Sequence, residues 1–579
     1  VNVNGGTFSA NNLLVGGNGA AAGTLNLNGG TFSVNQSFAV DTNGTVNVNT
    51  GGALSGGAGG NVAVQNGGAI VFNGGAGNAA MNIFAGGGAG GTVDVKGQTL
   101  GAGSWANLIA SGAGAVLKNS GTNASIAAGN TIWIWDGGGN LTINTDGAGA
   151  LQIDSWITSF GQATPTGIIK TGTNALVLAW PNDYTGVTQI DAGIVLVTVA
   201  SGLGSTSGGT TVADGAQLRL SSATGFTIGN EALTIAGDGG AGLPGALRNA
   251  AGTNTSQGKV TLSTNASIGA ASGTSLTLDV ASGNAIEGTN FSLGFTGAGS
   301  VVVNDTIALG SGNITKNGSG RTSLNVVQSA GSATISLGTL SINNALTLSN
   351  QLTLSNVAKL VFQVNPAGIA GYVNAPSGAT LAGTVGVEFD PAYIPMAGAS
   401  FPLVVGPISG TPALSLPTLS NSLVWVTNNF VANGTLSIAS GAPTFYQSWL
   451  TNYPSLTGTN ALPGADPDGD GYNNQSEFAF DGNPTVGSPA LVSAAKNGTN
   501  VVVSFIGRRV SAGGATYNVL STSNLPTGPF TNNAVATAAL VDSTNQSGVL
   551  LTNDYVRRQF SVAPGVRDFY RIQANLSGL

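Results

Sequence analysis

Apolar and polar residues alternate along most of this chain, in short runs that end in glycine or asparagine. VNVNGGTF at Val1 returns as LNLNGGTF at Leu25, VNVNTGGAL at Val46, IVFNGGAG at Ile70 and VDVKGQTL at Val93, at spacings of 24, 21, 24 and 23 residues. A period of two is that of a strand with one buried face. Gly and Asn tolerate the left-handed dihedrals of a sharp corner. A strand and corner repeated every 20-odd residues predicts a solenoid, each coil packed on its neighbours. Roughly 20 coils are expected if that period holds to residue 440.

The texture changes along the chain. Residues 1–130 hold the cleanest repeats and four charges, Asp41, Asp94, Lys96 and Lys118. Residues 131–345 vary more but still alternate, as in ALVLAW, AQLRL and SLTLDV. Residues 346–440 read as terminal coils with growing, proline-rich loops. Around 441 aromatic and charged residues gather, and 15 of the chain's charges lie in 461–579. There, 441–485 reads as short helices (TFYQSWLTNY and NNQSEFAF) around an acidic loop. The strands VVVSFI, TYNVLST, RRQFSV and FYRIQA of 486–579 predict a small β-sandwich.

Composition narrows the chemistry. The 579 residues include 93 glycines, yet 41% are hydrophobic, which suits a packed core better than a disordered linker. Only 7% are charged, against roughly 25% in ordinary soluble domains, so the outer surface must be Asn, Thr, Ser, Gly and Gln. A net charge of −7 offers no basic footprint for nucleic acid. With no Cys and no His, disulfides, thiol nucleophiles, imidazole bases and ordinary zinc sites are excluded. No run of about 20 apolar residues is present, so no membrane-spanning helix is expected.

GIIKTGTNALVLAWPNDYTGVTQIDAGIVLV, from Gly167 to Val197, resembles the autotransporter-associated β-strand repeat. Lys170, Thr171 and Gly172 match its K-T-G step; Leu176 and Leu178 match its L-x-L strand. Tyr184, Thr185, Gly186, Thr188, Ile190, Gly193, Val195 and Val197 match the rest, and ITKNGSGRTSL at Ile314–Leu324 is a weaker echo. The resemblance covers about 131–345. It implies a right-handed parallel β-helix, as in autotransporter passengers, on a secreted or surface-exposed bacterial protein. The membrane barrel that ends an autotransporter is not legible here. The C-terminal part instead resembles tails of large bacterial repeat proteins. Independently of the family, Gly186 is expected to permit a tight turn beside Tyr184.

ADPDGDGYNNQSEF carries the strongest chemical motif. Asp466, Asp468 and Asp470 stand at positions 1, 3 and 5 of a twelve-residue loop, with Gly471 at 6 and Glu477 at 12. That is the D-x-D-x-D-G-x5-E pattern of a calcium loop, which needs hard oxygens on a sharply turned backbone. The Tyr472 carbonyl falls at position 7 and Asn474 at position 9, so the expected Ca2+ ligands are Asp466, Asp468, Asp470, Tyr472, Asn474 and Glu477. The alternative is a solvated acidic turn.

Other candidates are weaker. Asp136, Asp146, Asp154, Asp183 and Asp191, with Lys170, are the only groups in that region for a polysaccharide-cleaving site, but they read better as turn caps. Trp133, Trp135, Trp156 and Trp180 suit either a sugar-stacking platform or plugs that close a coil end, and plugs are the expectation. Arg508, Arg509, Arg557, Arg558, Arg567 and Arg571 read as cross-strand partners rather than an anion site.

These readings converge on a non-enzymatic extracellular protein of the bacterial surface, a fibre subunit, matrix component or adhesin. The alternative is a secreted polysaccharide-active or carbohydrate-binding β-helix protein. The chain opens in mid-repeat, so head-to-tail self-association into a filament is expected unless an upstream segment covers that end. Surface glycans are the second class of partner.

Overall fold

The computed structural model describes residues 1–17, 22–56, 61–77, 82–85, 90–101, 107–111, 114–135, 139–159, 161–240, 242, 244–420, 423–441, 444–524, 529–563 and 568–576. The chain is all-β, a parallel β-solenoid of about 15 turns, with only 5% helix. It divides into two compact units. One comprises Val1–Pro395, Ala399–Thr418 and Val426–Ser437; the other comprises Met396–Gly398, Leu419–Trp425 and Ile438–Leu579.

In the first unit the repeated phrases are the rungs. Asn2 pairs with Asn26, Leu25 with Val46, Val46 with Ile70 and Ile70 with Val93, all in parallel register. Each coil has up to three strands, and three faces result. Alternation sends Leu25, Leu27, Val46, Val48, Ile70 and Phe72 into the core. The outward asparagines stack: Asn26 donates to Asn2 (2.7 Å) and Asn47 to Asn26 (2.8 Å). Such ladders satisfy side-chain amides without charge.

The coils are fewer than the roughly 20 expected because several are long. Leu218 pairs with Leu247, 29 residues on, and Ala345 with Tyr372, 27 residues on. Parallel pairing also stops at Ala413–Ser415, short of residue 440. Beyond it Ser400–Pro402 pairs antiparallel with Thr435–Ser440. Pro402, Pro407, Pro412 and Pro417 lack the amide a parallel ladder needs.

The third face has no strand between Thr158 and Thr227 among the described residues. The family-like motif fills that gap. Tyr184 is fully buried, its hydroxyl 2.5 Å from Thr188 Oγ1, and Thr188 donates to the Leu203 carbonyl at 3.0 Å. Burial pushes the Tyr184 hydroxyl well above its ordinary pKa. Gly186 acts by close approach rather than by a left-handed turn. A Cβ there would stand 2.3 Å from the Thr166 carbonyl carbon, and its φ needs no glycine. Lys170 points inward: its Nζ donates to the carbonyls of Thr171 (2.8 Å), Gly172 (2.7 Å) and Ala192 (3.0 Å).

The second unit holds a four-stranded and a three-stranded antiparallel sheet. Val503 and Phe505 of Asn500–Arg508, Tyr517 and Val519 of Ala515–Thr522, Phe560 of Tyr555–Val562 and Ile572 of Phe569–Leu576 form one buried cluster. Both expected helices form, as Phe445–Leu450 and Asn474–Phe480. Phe430–Asn433, in the first unit, and Ala534–Ala538 are short helices the pattern did not suggest.

Gly186→Ala is expected to force the Thr166 and Gly186 backbones apart and to raise hydrogen exchange across 166–190. Gly5→Ala, where nothing lies within 4 Å, is expected to be neutral. Leu176→Ala, in a fully buried position, is expected to cost about 2–5 kcal/mol in denaturant unfolding. Val177→Ala on the outward side should cost far less.

Candidate functional site

The acidic loop opens with Asp466. Its Oδ1 accepts the Gly469 amide (2.9 Å) and its Oδ2 the Gly471 amide (3.0 Å). Gly469 and Gly471 have φ of 74° and 92°, which an L side chain adopts only with strain. Asp468 Oδ1 accepts the Asp470 amide (3.2 Å), and Asp470 Oδ1 accepts the Tyr472 amide (2.7 Å). The backbone thus turns around its own carboxylates. Ligand atoms of Asp466, Asp468 and Asp470 come within 4.8 Å of one another. Among the described residues no other three carboxylates converge in this way.

The loop runs straight into the helix Asn474–Phe480, capped by Asn473, whose side chain accepts the Ser476 amide (2.9 Å). Glu477 is fully buried beside the three aspartates. Its Oε1 accepts Ser488 Oγ (3.0 Å), and its Oε2 has no partner. Asp468 Oδ2 is likewise buried without a donor. Burial first, then the neighbouring aspartates, pushes Glu477 up to about 7. Burial also raises Asp468. Two buried carboxylate oxygens lacking donors cost free energy unless a proton or cation joins them.

The other two expected ligands are placed differently from each other. Tyr472 sits in the loop, at the turn made by its amide on Asp470. Asn474 is the first helical residue and is fully buried. Its Nδ2 donates to the carbonyls of Asn460 (2.7 Å) and Leu462 (2.9 Å), tying the preceding segment to the helix start, and its Oδ1 is buried without a partner.

The far end of the helix is tied to both sheets. Tyr555 donates its hydroxyl to the Phe478 carbonyl (2.6 Å), and Tyr517 donates to the Ala479 carbonyl. Asp481, in a left-handed C-cap (φ 58°), accepts the Leu550 and Leu551 amides, and burial pushes it up to about 6. Arg508 is buried over the Phe478 ring (4.7 Å) and donates to the Tyr555 hydroxyl (3.0 Å) and the Gly513 carbonyl (2.7 Å). Nothing in the sequence marks Arg508 as internal; its partners come together only once helix and strands meet. Among the described residues, Arg509, Arg557 and Arg558 do not join it in an anion site. Arg509 donates to the Thr552 carbonyl, Arg557 to Ser547 and Arg558 to Arg508, while Arg567 lies outside the described residues.

The candidate acids of the solenoid are dispersed. Asp154 accepts Gln152, Asp191 accepts Gln189, and Asp183 accepts the Trp156 Nε1 proton at 3.0 Å. Asp136 lies outside the described residues. Lys170 is held in the core, where burial lowers it to about 8. The tryptophans are not plugs. Ile132, Ile134 and Ile157 take the inward positions, so Trp133, Trp135 and Trp156 face outward. Trp135 and Trp180 are 48% and 46% exposed. The phase of the alternation, not side-chain size, decides the side.

No family model matches the chain. A stretch of 117 residues, 20% of the chain, is 38% identical to the adhesin BmaC autotransporter of Brucella suis biovar 1 (strain 1330). The chain spans 3% of that protein's length.

In chelator, the second unit is expected to lose stability as pH rises from about 4 to 7. Glu477 and Asp481 have folded pKa values above their unfolded ones of 4.5 and 3.8. In that window the folded state holds protons the unfolded chain has released, so stability falls with rising pH. Glu477→Gln should flatten the slope in urea melts followed across that range; an unchanged slope would contradict the assignment.

Proposed function

We propose that this is an adhesin-like protein of the bacterial surface or secreted space, a right-handed β-helix presenting a polar face without catalysing a reaction. The observation that carries this reading is the extended parallel solenoid with an almost ion-free exterior. Only three salt bridges occur among the described residues, and carboxylates are dispersed along the coils. An enzyme on this fold needs acids and bases gathered over neighbouring coils. The similarity to an adhesin passenger supports the same reading. Right-handed winding follows the general hand of parallel crossovers.

The second unit, read as a β-sandwich, is on this account stapled by one calcium ion. Asp466, Asp468, Asp470 and Glu477 would hold it, with the Tyr472 carbonyl and, directly or through water, the unpartnered Asn474 Oδ1. Calcium would supply the cation that the unpartnered Asp468 and Glu477 oxygens lack. Its role is structural: the helix it would fix carries, at its other end, the carbonyls that accept Tyr517 and Tyr555.

Two measurements test this. Surface display of the chain should confer attachment to cells or matrix, and purified protein should leave a polysaccharide panel uncleaved. Release of reducing ends would overturn the non-enzymatic reading. Calcium at millimolar level should raise the melting temperature of the second unit and slow its proteolysis, and Asp468→Asn with Glu477→Gln should abolish both effects. Equal melting with calcium and with chelator would sink the staple.

A further inference from the structure

Trp133, Trp135 and Trp156 lie on two successive coils of one face, and Trp180 lies in the corner that stacks on the second of them. Trp156 pairs in register with Thr131, one coil away from the strand Thr131–Ile134. Trp133 follows at the next outward position of that strand, and Trp135 directly after its end. Along the strand direction the three rings therefore fall at registers 131, 133 and 135. A two-residue step is about 6.6 Å. The Trp133 and Trp156 rings are 6.3 Å apart and tilted by 56°. The corner after Leu178 stacks on the coil of Trp156: Ala179 donates to the Ile153 carbonyl (3.0 Å), and Asn182 accepts the Ile157 amide (2.9 Å). That places the exposed Trp180 one coil further on.

Core packing does not account for this arrangement, because isoleucines already fill the inward positions. Trp135 is exposed and Trp133 and Trp156 are half-buried beside it, and an apolar patch on a polar surface marks an interaction site. We propose that Trp156, Trp133 and Trp135 form a stacking line for a neutral, hydroxyl-rich glycan; this rests on the adhesin reading and names its partner class. Each ring offers an apolar face of about the size of one sugar ring, and indole N–H groups suit partners with one apolar and one polar side. The rings stand beside the half-buried Thr131 and the exposed Asp183 rather than in a continuous greasy patch. That suits pyranoses, which alternate C–H faces with hydroxyl edges, better than an apolar peptide. Asp183, exposed and already accepting the Trp156 N–H, is placed to accept a sugar hydroxyl as well.

Charge selects among glycans. Between Lys118 and Arg219 the only cation is Lys170, which is buried, whereas Asp146, Asp154, Asp183 and Asp191 lie in the same stretch. Sulfated or uronic-acid chains would meet repulsion and no counter-charge.

The test is titration of the full chain with neutral hexasaccharides (cello-, chito- and manno-series) and a heparin hexasaccharide, read by calorimetry and tryptophan fluorescence. At least one neutral series is expected to bind, with a blue shift, and heparin not to bind. Trp133→Ala with Trp156→Ala should weaken binding at least tenfold and Trp135→Ala severalfold. Trp133→Phe with Trp156→Phe, which keeps the stacking faces, should retain most of it and guards against misfolding. Val357→Ala, at an exposed position elsewhere, should change nothing. Absence of binding to all neutral series, equal binding by the alanine variants, or preference for heparin would overturn the proposal. Cell attachment measured in parallel separates the two readings. Attachment that survives the double alanine variant leaves the adhesin reading standing and removes the stacking line from it. A chain that binds neutral glycan through these rings but attaches to no surface keeps the stacking line and loses the adhesin reading.

Discussion

Everything in the first unit depends on backbone pairing between one coil and the next. A parallel ladder holds only if each coil brings its strands back to the same place, whatever the length of its corners. Leu218 and Leu247 are 29 residues apart, Leu25 and Val46 only 21, yet both pairs sit in register. Excess length is pushed outward, and the inward residues stay in column. Because each strand has neighbours on both sides, apolar alternation on the inner face and hydrogen-bonding side chains on the outer face satisfy nearly every group without ions. The Asn2–Asn26–Asn47 stack is the outer counterpart of the Leu27–Val48–Phe72 column inside.

The second unit solves the same problem with buried charge. Its sheets have only four and three strands, and the cluster around Phe505, Tyr517 and Phe560 is small beside the solenoid core. Arg508 and Asp481 are buried there, each with several hydrogen bonds, and the two tyrosine hydroxyls reach the last turn of the Asn474–Phe480 helix. The helix is only seven residues long, so the acidic loop at its start and the tyrosine contacts at its end share one short element. In the solenoid a perturbed coil is felt chiefly by its neighbours.

Much of this was legible in the sequence. Register could be read directly, since the recurring phrases at Leu25, Val46, Ile70 and Val93 are the paired rungs themselves. The acidic loop was legible because its spacing is a local geometric requirement. What escaped depends on phase or on distant partners. TIWIW places two isoleucines and two tryptophans on opposite sides, and only the coil's absolute phase says which pair faces in. Asn474 was expected as a ligand; its Nδ2 ties it to Asn460 and Leu462, a contact that no motif encodes, while its Oδ1 is buried without a partner. Gly186 looked like a turn glycine, yet the constraint on it is the neighbouring coil's backbone at Thr166.

Lys170 shows how a polar side chain enters such a core. A lysine inside a low-dielectric interior is costly unless acceptors surround it. At a coil corner the backbone turns and its carbonyls point across the bend, so acceptors are already present. Lys170 collects three of them, two from its own corner and one, Ala192, from the next coil. Lys316 repeats the arrangement with Gly318 and with Leu337 of the next coil. Burial holds both lysines down to about 8, so each ammonium remains in service at neutral pH while bridging two coils. A carboxylate could not take this place, because a corner that exposes carbonyls inward offers no donors. The charge of the K-T-G step is therefore spent within the wall of the solenoid, and the outer surface of those coils is left to aspartates, hydroxyls and indole rings.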